Sequence, residues 1–166
     1  NDCSPNPEIT AYLRKLAADN AQLVLLENES NLGFVETVNR GMAYDNSRDV
    51  LVLNADVEVA GNWLQRLRDA AYLNDSVGSS VGSVTPFSNN ATLCSFPNIC
   101  KENRLLFGLS CAQIDERFAA LFSATDIVDL PTGIGFCMYI RRECLDQVGV
   151  FDAQTFGRGY GEENDW

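Results

Sequence analysis

Val50-Leu51-Val52-Leu53-Asn54-Ala55-Asp56-Val57-Glu58 is the stretch that sets the architecture. Four apolar residues in a row, bounded by polar ones, read as a short strand buried on both faces. The strand runs straight into Asn54-Ala55-Asp56. In open α/β sheets, ligands gather outside the carboxyl ends of the strands. A carboxylate placed there can hold a hard divalent cation through oxygen, and the cation can bridge two phosphate oxygens. The plainer reading of the triplet is a turn with an Asx cap onto the next helix. Val57-Glu58-Val59 alternates as an edge strand does, which turns Glu58 to solvent.

Around this strand the chain alternates between two periods. Ser4-Pro5 is an N-cap followed by a first-turn proline. Ile9, Tyr12, Leu13 and Leu16 then repeat at helical spacing to about Ala18. Leu23 to Leu26 is a second continuous apolar run, read as another buried strand. Asn31-Leu32-Gly33 is a turn, and Phe34, Val35, Val38 and Met42 form the next helical stripe. Gly61-Asn62 opens a helix carrying Trp63, Leu64, Leu67, Ala70 and Ala71. This order of helix, strand, helix, strand, helix predicts crossover connections and a mainly parallel sheet, hence an α/β domain. From Val77 to about Ser123 the chain is less regular, with a strand at Val81–Thr85 and a short helix at Asp115–Phe122. Phe136–Ile140 reads as a strong strand, and Arg142–Val148 as a short helix closed by Gly149. No internal repeat is present, and no linker divides two domains.

Composition narrows the chemistry. The 166 residues carry 12 Lys plus Arg against 23 Asp plus Glu, a formal charge of −11. A phosphate backbone or an anionic membrane surface is repelled by such a chain, so nucleic acid is not an expected partner. There is no histidine, which removes Ser-His-Asp and Cys-His catalysis and His-ligated zinc together. Any general base is a carboxylate, Lys, Tyr or Cys. No apolar run reaches the roughly 18 residues that mark a transmembrane helix. Cys3, Cys94, Cys100, Cys111, Cys137 and Cys144 contain no C-x-x-C pair, so zinc-knuckle and redox-motif readings fail. They are expected as reduced thiols of a cytosolic protein, with a Cys94–Cys100 loop disulfide as the alternative.

Four further segments carry polar groups in patterns suited to a site. Gly161-Glu162-Glu163-Asn164-Asp165-Trp166 places three carboxylates in four positions. At a helix start they are favoured in the ionised form, able to act as base or metal ligand. On a helix Glu162 and Asp165 share a face, while Glu163 points about 100° away. A solvated acidic helix start is the alternative. Asn31-x-Gly33-Phe34-x4-Asn39-Arg40-Gly41 sets a tight turn before a helix. Arg40 there could reach a phosphate, or the segment is a packing glycine with solvent-facing polar residues. Thr85–Thr92 and Pro131-Thr132-Gly133-Ile134-Gly135-Phe136 are loops of small polar residues able to bind sugar hydroxyls or simply to turn the chain.

Taken together and in order, these segments resemble the family 2 inverting glycosyltransferases of the GT-A fold. Asn1-Asp2-Cys3-Ser4 looks like the family's D-D-G-S turn. Asn31-x-Gly33-Phe34 with Asn39 looks like its N-x-G-x-x-x-A-x-N segment. Asn54-Ala55-Asp56 looks like its D-x-D metal motif, Thr132-Gly133 falls at its glycine-rich acceptor-side loop, and Glu162-Glu163-Asn164-Asp165 looks like its E-D-x-D base motif. The wording of Thr85–Thr92 and Gly159–Trp166 is similar to a bacterial subgroup acting on surface polysaccharides, including rhamnosyltransferase-like members.

The resemblance covers nearly the whole chain and implies a three-layer GT-A domain with a mainly parallel central sheet over residues 1–166. It also implies a nucleotide-diphosphate sugar donor, a glycan or lipid-linked acceptor, and Mn²⁺ or Mg²⁺ on Asp56. In it Asp2 reads the nucleotide base, and the further binding residues are Asn31, Gly33, Asn39, Arg40 and Asn54 on the donor, with Thr132 and Gly133 on the acceptor-side loop. Glu163 is the base, with Asp165 and Glu162 as alternatives. Location follows as cytoplasmic, or at the inner face of the membrane through the acceptor. The departures are Asn54 for the first Asp of the metal triplet, Glu163 for the usual Asp, and Cys3 for a glycine, which predicts a turn that avoids positive φ. The family's first strand and the segment after its base motif are not seen, so an incomplete domain is expected, with a sheet slot open and a frayed end at Glu162–Trp166. A sugar nucleotidyltransferase is a competing reading, but it should carry a glycine-rich basic loop near the first strand, absent here. A non-catalytic sugar-nucleotide or carbohydrate-binding module is another.

Overall fold

The computed structural model describes residues 1–73, 81–123 and 126–166. The chain divides into two compact units. One is assembled from two separated segments, Asn1–Asn46 and Val150–Trp166; the other is the continuous stretch Ser47–Gly149 between them.

The continuous unit holds the sheet. Its strands are β1 (Val50–Leu53), β2 (Ser83–Val84) and β3 (Cys137–Ile140), and its helices are α3 (Trp63–Tyr72), α4 (Cys111–Leu121) and α5 (Arg142–Val148). The sheet order is β1-β3-β2, with β3 antiparallel to both neighbours. Val50 pairs with Ile140 and Leu53 with Cys137, while Ser83 and Val84 pair with Ile140 and Tyr139. This corrects the expected mainly parallel sheet. β1 and β2 do run in the same direction, so the α3 crossover joins strands of like sense. β3, however, is inserted between them the other way round. Its four residues are all buried, and a continuous apolar run reports burial on both faces rather than strand direction.

Leu67 and Ala71 of α3 pack on Cys137 and Tyr139, with Leu51, Trp63, Val84 and Phe136 closing the cluster. At the other end of β1, Asp49 pins strands and helices together. Its carboxylate accepts from Tyr72 Oη at 2.7 Å, Tyr139 Oη at 2.6 Å and the Arg142 amide at 2.9 Å. Arg141, 5% exposed, lays its guanidinium over the Tyr72 ring at 4.4 Å.

Between β2 and α4 the chain has little regular structure, yet it is tied from within. Asn103 is buried and its side-chain amide donates to the carbonyls of Lys101 (2.9 Å) and Asn98 (3.0 Å) and to Ser95 Oγ (3.2 Å). Its Oδ1 accepts from Asn98 Nδ2 at 2.9 Å. A loop whose buried polar groups are satisfied in this way is rigidified by them. α4 begins earlier than the apolar stripe predicts, at Cys111. A reciprocal capping box between Ser110 and Gln113 fixes that start. The opening of the irregular stretch, residues 77–80, lies outside the described residues.

In the other unit α1 spans Pro7–Asp19 and α2 Phe34–Met42, followed by the short turns α6 (Ala153–Phe156) and α7 (Glu162–Asp165). α1 starts two residues later than Ser4-Pro5 suggests, because Asn6-Pro7 repeats the same cap-and-proline signature and Asn6 Oδ1 accepts from the Glu8 amide. Residues 23–26 form no strand, which corrects the second buried strand of the sequence reading. Val24 is 52% exposed, and the segment is held by residue 1, whose ammonium donates to the Leu26 carbonyl at 2.7 Å. The segment Glu162–Trp166 is folded rather than frayed. Its amide of Trp166 donates to the Glu162 carbonyl at 3.1 Å, and the Trp166 ring meets Phe151 edge-on at 6.2 Å.

The cysteines fall into distinct environments. Cys3 and Cys100 are exposed and Cys94 and Cys137 are buried. Burial pushes the Cys137 thiol up to about 11 and raises Cys94 as well. In native protein at pH 8, a thiol reagent should modify Cys3 and Cys100 first and leave Cys94 and Cys137 nearly untouched, since the thiolate is the reactive form. Six thiols titrating after denaturation without reductant is the expected total, and fewer would point to a disulfide.

Candidate functional site

The first constellation belongs to the two-segment unit and is organised by Asp2. Its Oδ1 accepts from the Leu32 amide at 2.7 Å and from Asn28 Nδ2 at 2.8 Å, and its Oδ2 from the Gly33 amide at 2.9 Å. Asn31 Nδ2 donates to the Asp2 carbonyl at 3.1 Å. Asp2, Asn31 and Gly33 are therefore brought together, with Asn28 as a partner that no motif marked. Burial alone would raise the Asp2 pKa, but the bonds from Asn28, Leu32, Gly33 and Thr37 outweigh it and hold the group at about 2.

Cys3 next to it takes φ +53°, so the turn keeps the left-handed backbone expected of the glycine it replaces, contrary to the sequence-based expectation. The Ser4 amide, donating to Asn1 Oδ1 at 3.0 Å, helps hold that conformation.

Gly33 has φ +87°, and a Cβ there would lie 2.9 Å from the Arg158 Cα. Only glycine fits where two backbones pass this closely. The Phe34 amide donates to the Arg158 carbonyl at 3.0 Å. This lays the start of α2 against the glycine-rich segment that leads to the acidic run. Glu162 there is 4% exposed, and its Oε2 is buried with no hydrogen-bond partner. Glu163 is half-buried and Asp165 exposed. Glu162 and Asp165 thus differ in burial despite their spacing, because one helical turn defines no continuous face.

Asn39 and Arg40 are engaged within this unit. Asn39 Nδ2 donates to the Phe151 carbonyl at 2.7 Å while its Oδ1 accepts from the Phe151 amide at 3.0 Å. Arg40 donates to the Glu27 carbonyl at 2.8 Å and to Asn28 Oδ1.

Converting Asp2 to Asn replaces an acceptor of backbone amides by a group that offers one oxygen. The Asp2→Asn variant is expected to lose about 2 kcal/mol of stability at pH 7, as for hydrogen bonds to a charged group. The folded pKa lies below the unfolded one, so wild type holds this stability above about pH 4 and loses it as pH falls toward 2. Urea unfolding of both proteins at pH 7 and pH 2.5 checks this: the difference should be full at the first and cut to roughly a third at the second.

The second constellation belongs to the continuous unit. Asn54 and Asp56 are exposed in the turn that leaves β1, and the Asn54 amide donates to the Phe136 carbonyl at 2.9 Å. No group of three or more Cys, Asp or Glu side chains with metal-site geometry occurs among the described residues. Asp56 therefore offers a cation a single carboxylate. Thr132 and Gly133 lie in the loop before β3. The Ile134 amide donates to Thr85 Oγ1 at 3.1 Å, joining the two small-residue loops. Gly133 packs on fully buried Met138, whose Cε would lie 2.6 Å from an added Cβ.

Immediately after Asp56 the chain enters the wall of a cavity of about 360 Å³, which starts at Val57 and Glu58 and continues along α3 and α4. Neither Trp63 nor the ion pair of Arg66 with Asp115 in this wall was marked as functional by the sequence, since both read as ordinary helix residues.

The sequence profile of glycosyl transferase family 2 matches residues 1–149, so the chain belongs to that family. A comparison with curated proteins returns no match. The family has glycosyltransferase activity, with a nucleotide-sugar donor and an acceptor, and an α/β fold of the GT-A type. Among the described residues no helix is long and apolar enough to cross a membrane.

Proposed function

We propose that this chain carries out inverting transfer of a sugar from a nucleoside-diphosphate donor to an acceptor hydroxyl, in the synthesis of a surface polysaccharide or related glycan. The observation that carries the reading is the order of five family motifs along a chain that belongs to glycosyl transferase family 2. In the step, a bond forms between the acceptor oxygen and the anomeric carbon. The bond from that carbon to the diphosphate oxygen breaks, and its electron pair leaves with the diphosphate. Glu163 receives the proton of the acceptor hydroxyl as attack begins. Asp56, with Asn54 beside it, would hold Mn²⁺ or Mg²⁺; when bound, the ion supplies charge neutralisation of the diphosphate leaving group. The Asp2–Asn28–Gly33 clasp shapes the loop against which the nucleotide rests, with Asn31 at its rim. Thr132 and Gly133 face the acceptor side.

The test is a thermal-shift and calorimetric screen of nucleoside-diphosphate sugars with and without Mn²⁺, followed by transfer and hydrolysis assays. The true donor should raise the melting temperature only with metal. Asp56→Ala should remove the metal-dependent part of donor binding, a loss of about tenfold or more, while Glu58→Ala leaves it nearly unchanged. Unchanged affinity in Asp56→Ala overturns the metal assignment. Donor binding with neither transfer nor hydrolysis would favour a non-catalytic binding module.

A further inference from the structure

The cavity of the continuous unit is lined mainly by apolar side chains. We propose that it receives the apolar carrier segment of the acceptor, an alkyl or aryl group joined through an oxygen to the portion that bears the reacting hydroxyl. This rests on the transferase reading above and adds the chemical class of the acceptor.

The walls carry the argument. Trp63, Phe87, Phe96, Phe118 and Phe136 contribute rings, and Phe87, Phe96 and Phe118 touch edge to face at 6.2 and 5.1 Å between centroids. Val57, Val59, Leu67, Leu105, Leu106 and Ile114 add aliphatic surface. The polar groups of the lining are Ser88, Asn89 and four charged side chains; the aromatic and aliphatic stretch gives a pyranose hydroxyl no partner, and each hydroxyl buried against it costs about 1–3 kcal/mol. An alkyl or aryl body meets no such cost and gains from leaving water.

The apolar surface continues past the rim. Phe87 is 63% exposed and Leu105 44%, as a chain entering from solvent requires.

The charges specify the oxygen. The lining carries two cationic side chains, Arg66 and Arg104, and two anionic ones, Glu58 and Asp115, so the cavity is balanced in charge and suits an uncharged ligand. The Arg66 guanidinium pairs with Asp115, yet its Nε is buried and has no hydrogen-bond partner. A buried N–H without an acceptor is costly, and a ligand ether or hydroxyl oxygen would satisfy it. The site begins one residue beyond Asp56, which places the carrier directly after the residue assigned to the diphosphate.

The experiment uses the 166-residue chain and the fluorescent probe N-phenyl-1-naphthylamine, an apolar ligand without oxygen. Octyl β-glucoside, below its micellar concentration, should displace the probe; methyl β-glucoside should not. Phe87→Glu, a change at an exposed position, and Ile114→Glu should each weaken probe binding about tenfold or more by placing a charge against the apolar body. Val128→Glu, 74% exposed and outside the lining, should leave it unchanged. Arg66→Lys keeps the charge beside Asp115 but removes the Nε donor. It should weaken octyl glucoside about fivefold while sparing the probe, the size of one net hydrogen bond.

Probe binding insensitive to Phe87→Glu, or displacement by methyl and octyl glucosides alike, overturns the proposal. Nucleotide-sugar binding in the presence of Mn²⁺ is scored separately, so either result leaves the transferase reading standing. Octyl-selective displacement in a protein that binds no nucleotide sugar would overturn that reading, and with it the assignment of the ligand as an acceptor.

Discussion

Glu163→Gln is expected to keep donor binding and to lower turnover by about 10²-fold or more, the range for loss of a general base. Glutamine keeps the shape and hydrogen-bonding reach of the side chain and loses only its basicity. The three neighbouring carboxylates are not equivalent. Glu162 is 4% exposed, so an acceptor hydroxyl reaches it only after rearrangement of the turn. Asp165 is exposed in the last position of α7, and Glu163 stands between these extremes. Rates of transfer with Glu162→Gln, Glu163→Gln and Asp165→Asn, alongside donor affinities, decide the assignment. A fall in turnover with unchanged donor affinity in Asp165→Asn, and not in Glu163→Gln, would move the base by two residues.

Asp49→Ala should be the most damaging change to stability, at about 3 kcal/mol, because it orphans several partners at once. Two tyrosine hydroxyls and the Arg142 amide lose their acceptor, and the nearby Arg141 guanidinium loses a counter-charge. Burial would raise the Asp49 pKa, but hydrogen bonds from Tyr139, Arg142 and Tyr72 and the Arg141 charge outweigh it, so the folded value is lowered. Its contribution is therefore present above about pH 4 and lost as pH falls through the folded value. Tyr139 is raised by burial and by its bond to Asp49, and Tyr72 chiefly by that bond. The folded state then holds phenolic protons that the unfolded chain releases above about pH 10, so stability also falls there. Denaturant unfolding at pH 3, 7 and 10.5 should show the largest gap between wild type and Asp49→Ala at pH 7. A constant gap across the three would remove the carboxylate–phenol linkage as its source.

Local signals were readable wherever a residue acts on its own neighbours. Gly149 ends α5 at φ +93°, and Gly61-Asn62 precedes α3 as its apolar spacing requires. The run Val50–Leu53 is a strand, and Phe136–Ile140 is one residue shorter than read. Failures came where the answer depends on distant partners. Strand direction is set by what pairs with β3, which no period of two or 3.6 reports. Leu23–Leu26 has the composition of a buried strand, yet the Leu23 amide donates back to Asn20 and the Leu26 carbonyl accepts from residue 1. The Ser110-x-x-Gln113 box is a cap signature that starts the helix at Cys111, ahead of the Asp115 at which the apolar stripe of Phe118, Leu121 and Phe122 places its start.

Within the candidate site, the motif residues Asp2, Asn31 and Gly33 do meet. Their partners Asn28 and Arg158 lie outside any motif, since what recruits them is a free amide or a backbone close enough to exclude a side chain. Arg66 and Asp115, 49 residues apart, carry no sequence signal that they pair.

The division of one unit into two segments bears on synthesis. Asn39 makes both of its side-chain bonds to the backbone of Phe151, 112 residues later. Gly33 likewise meets the Arg158 backbone. On a ribosome adding about 5–20 residues per second, the segment Ser47–Gly149 is available as a whole before these partners exist. The continuous unit can then mature first, while α1 and α2 wait with their inner surfaces uncovered. For those seconds the nascent chain is a client for chaperones at α1 and α2, until Val150–Trp166 emerges and completes their unit.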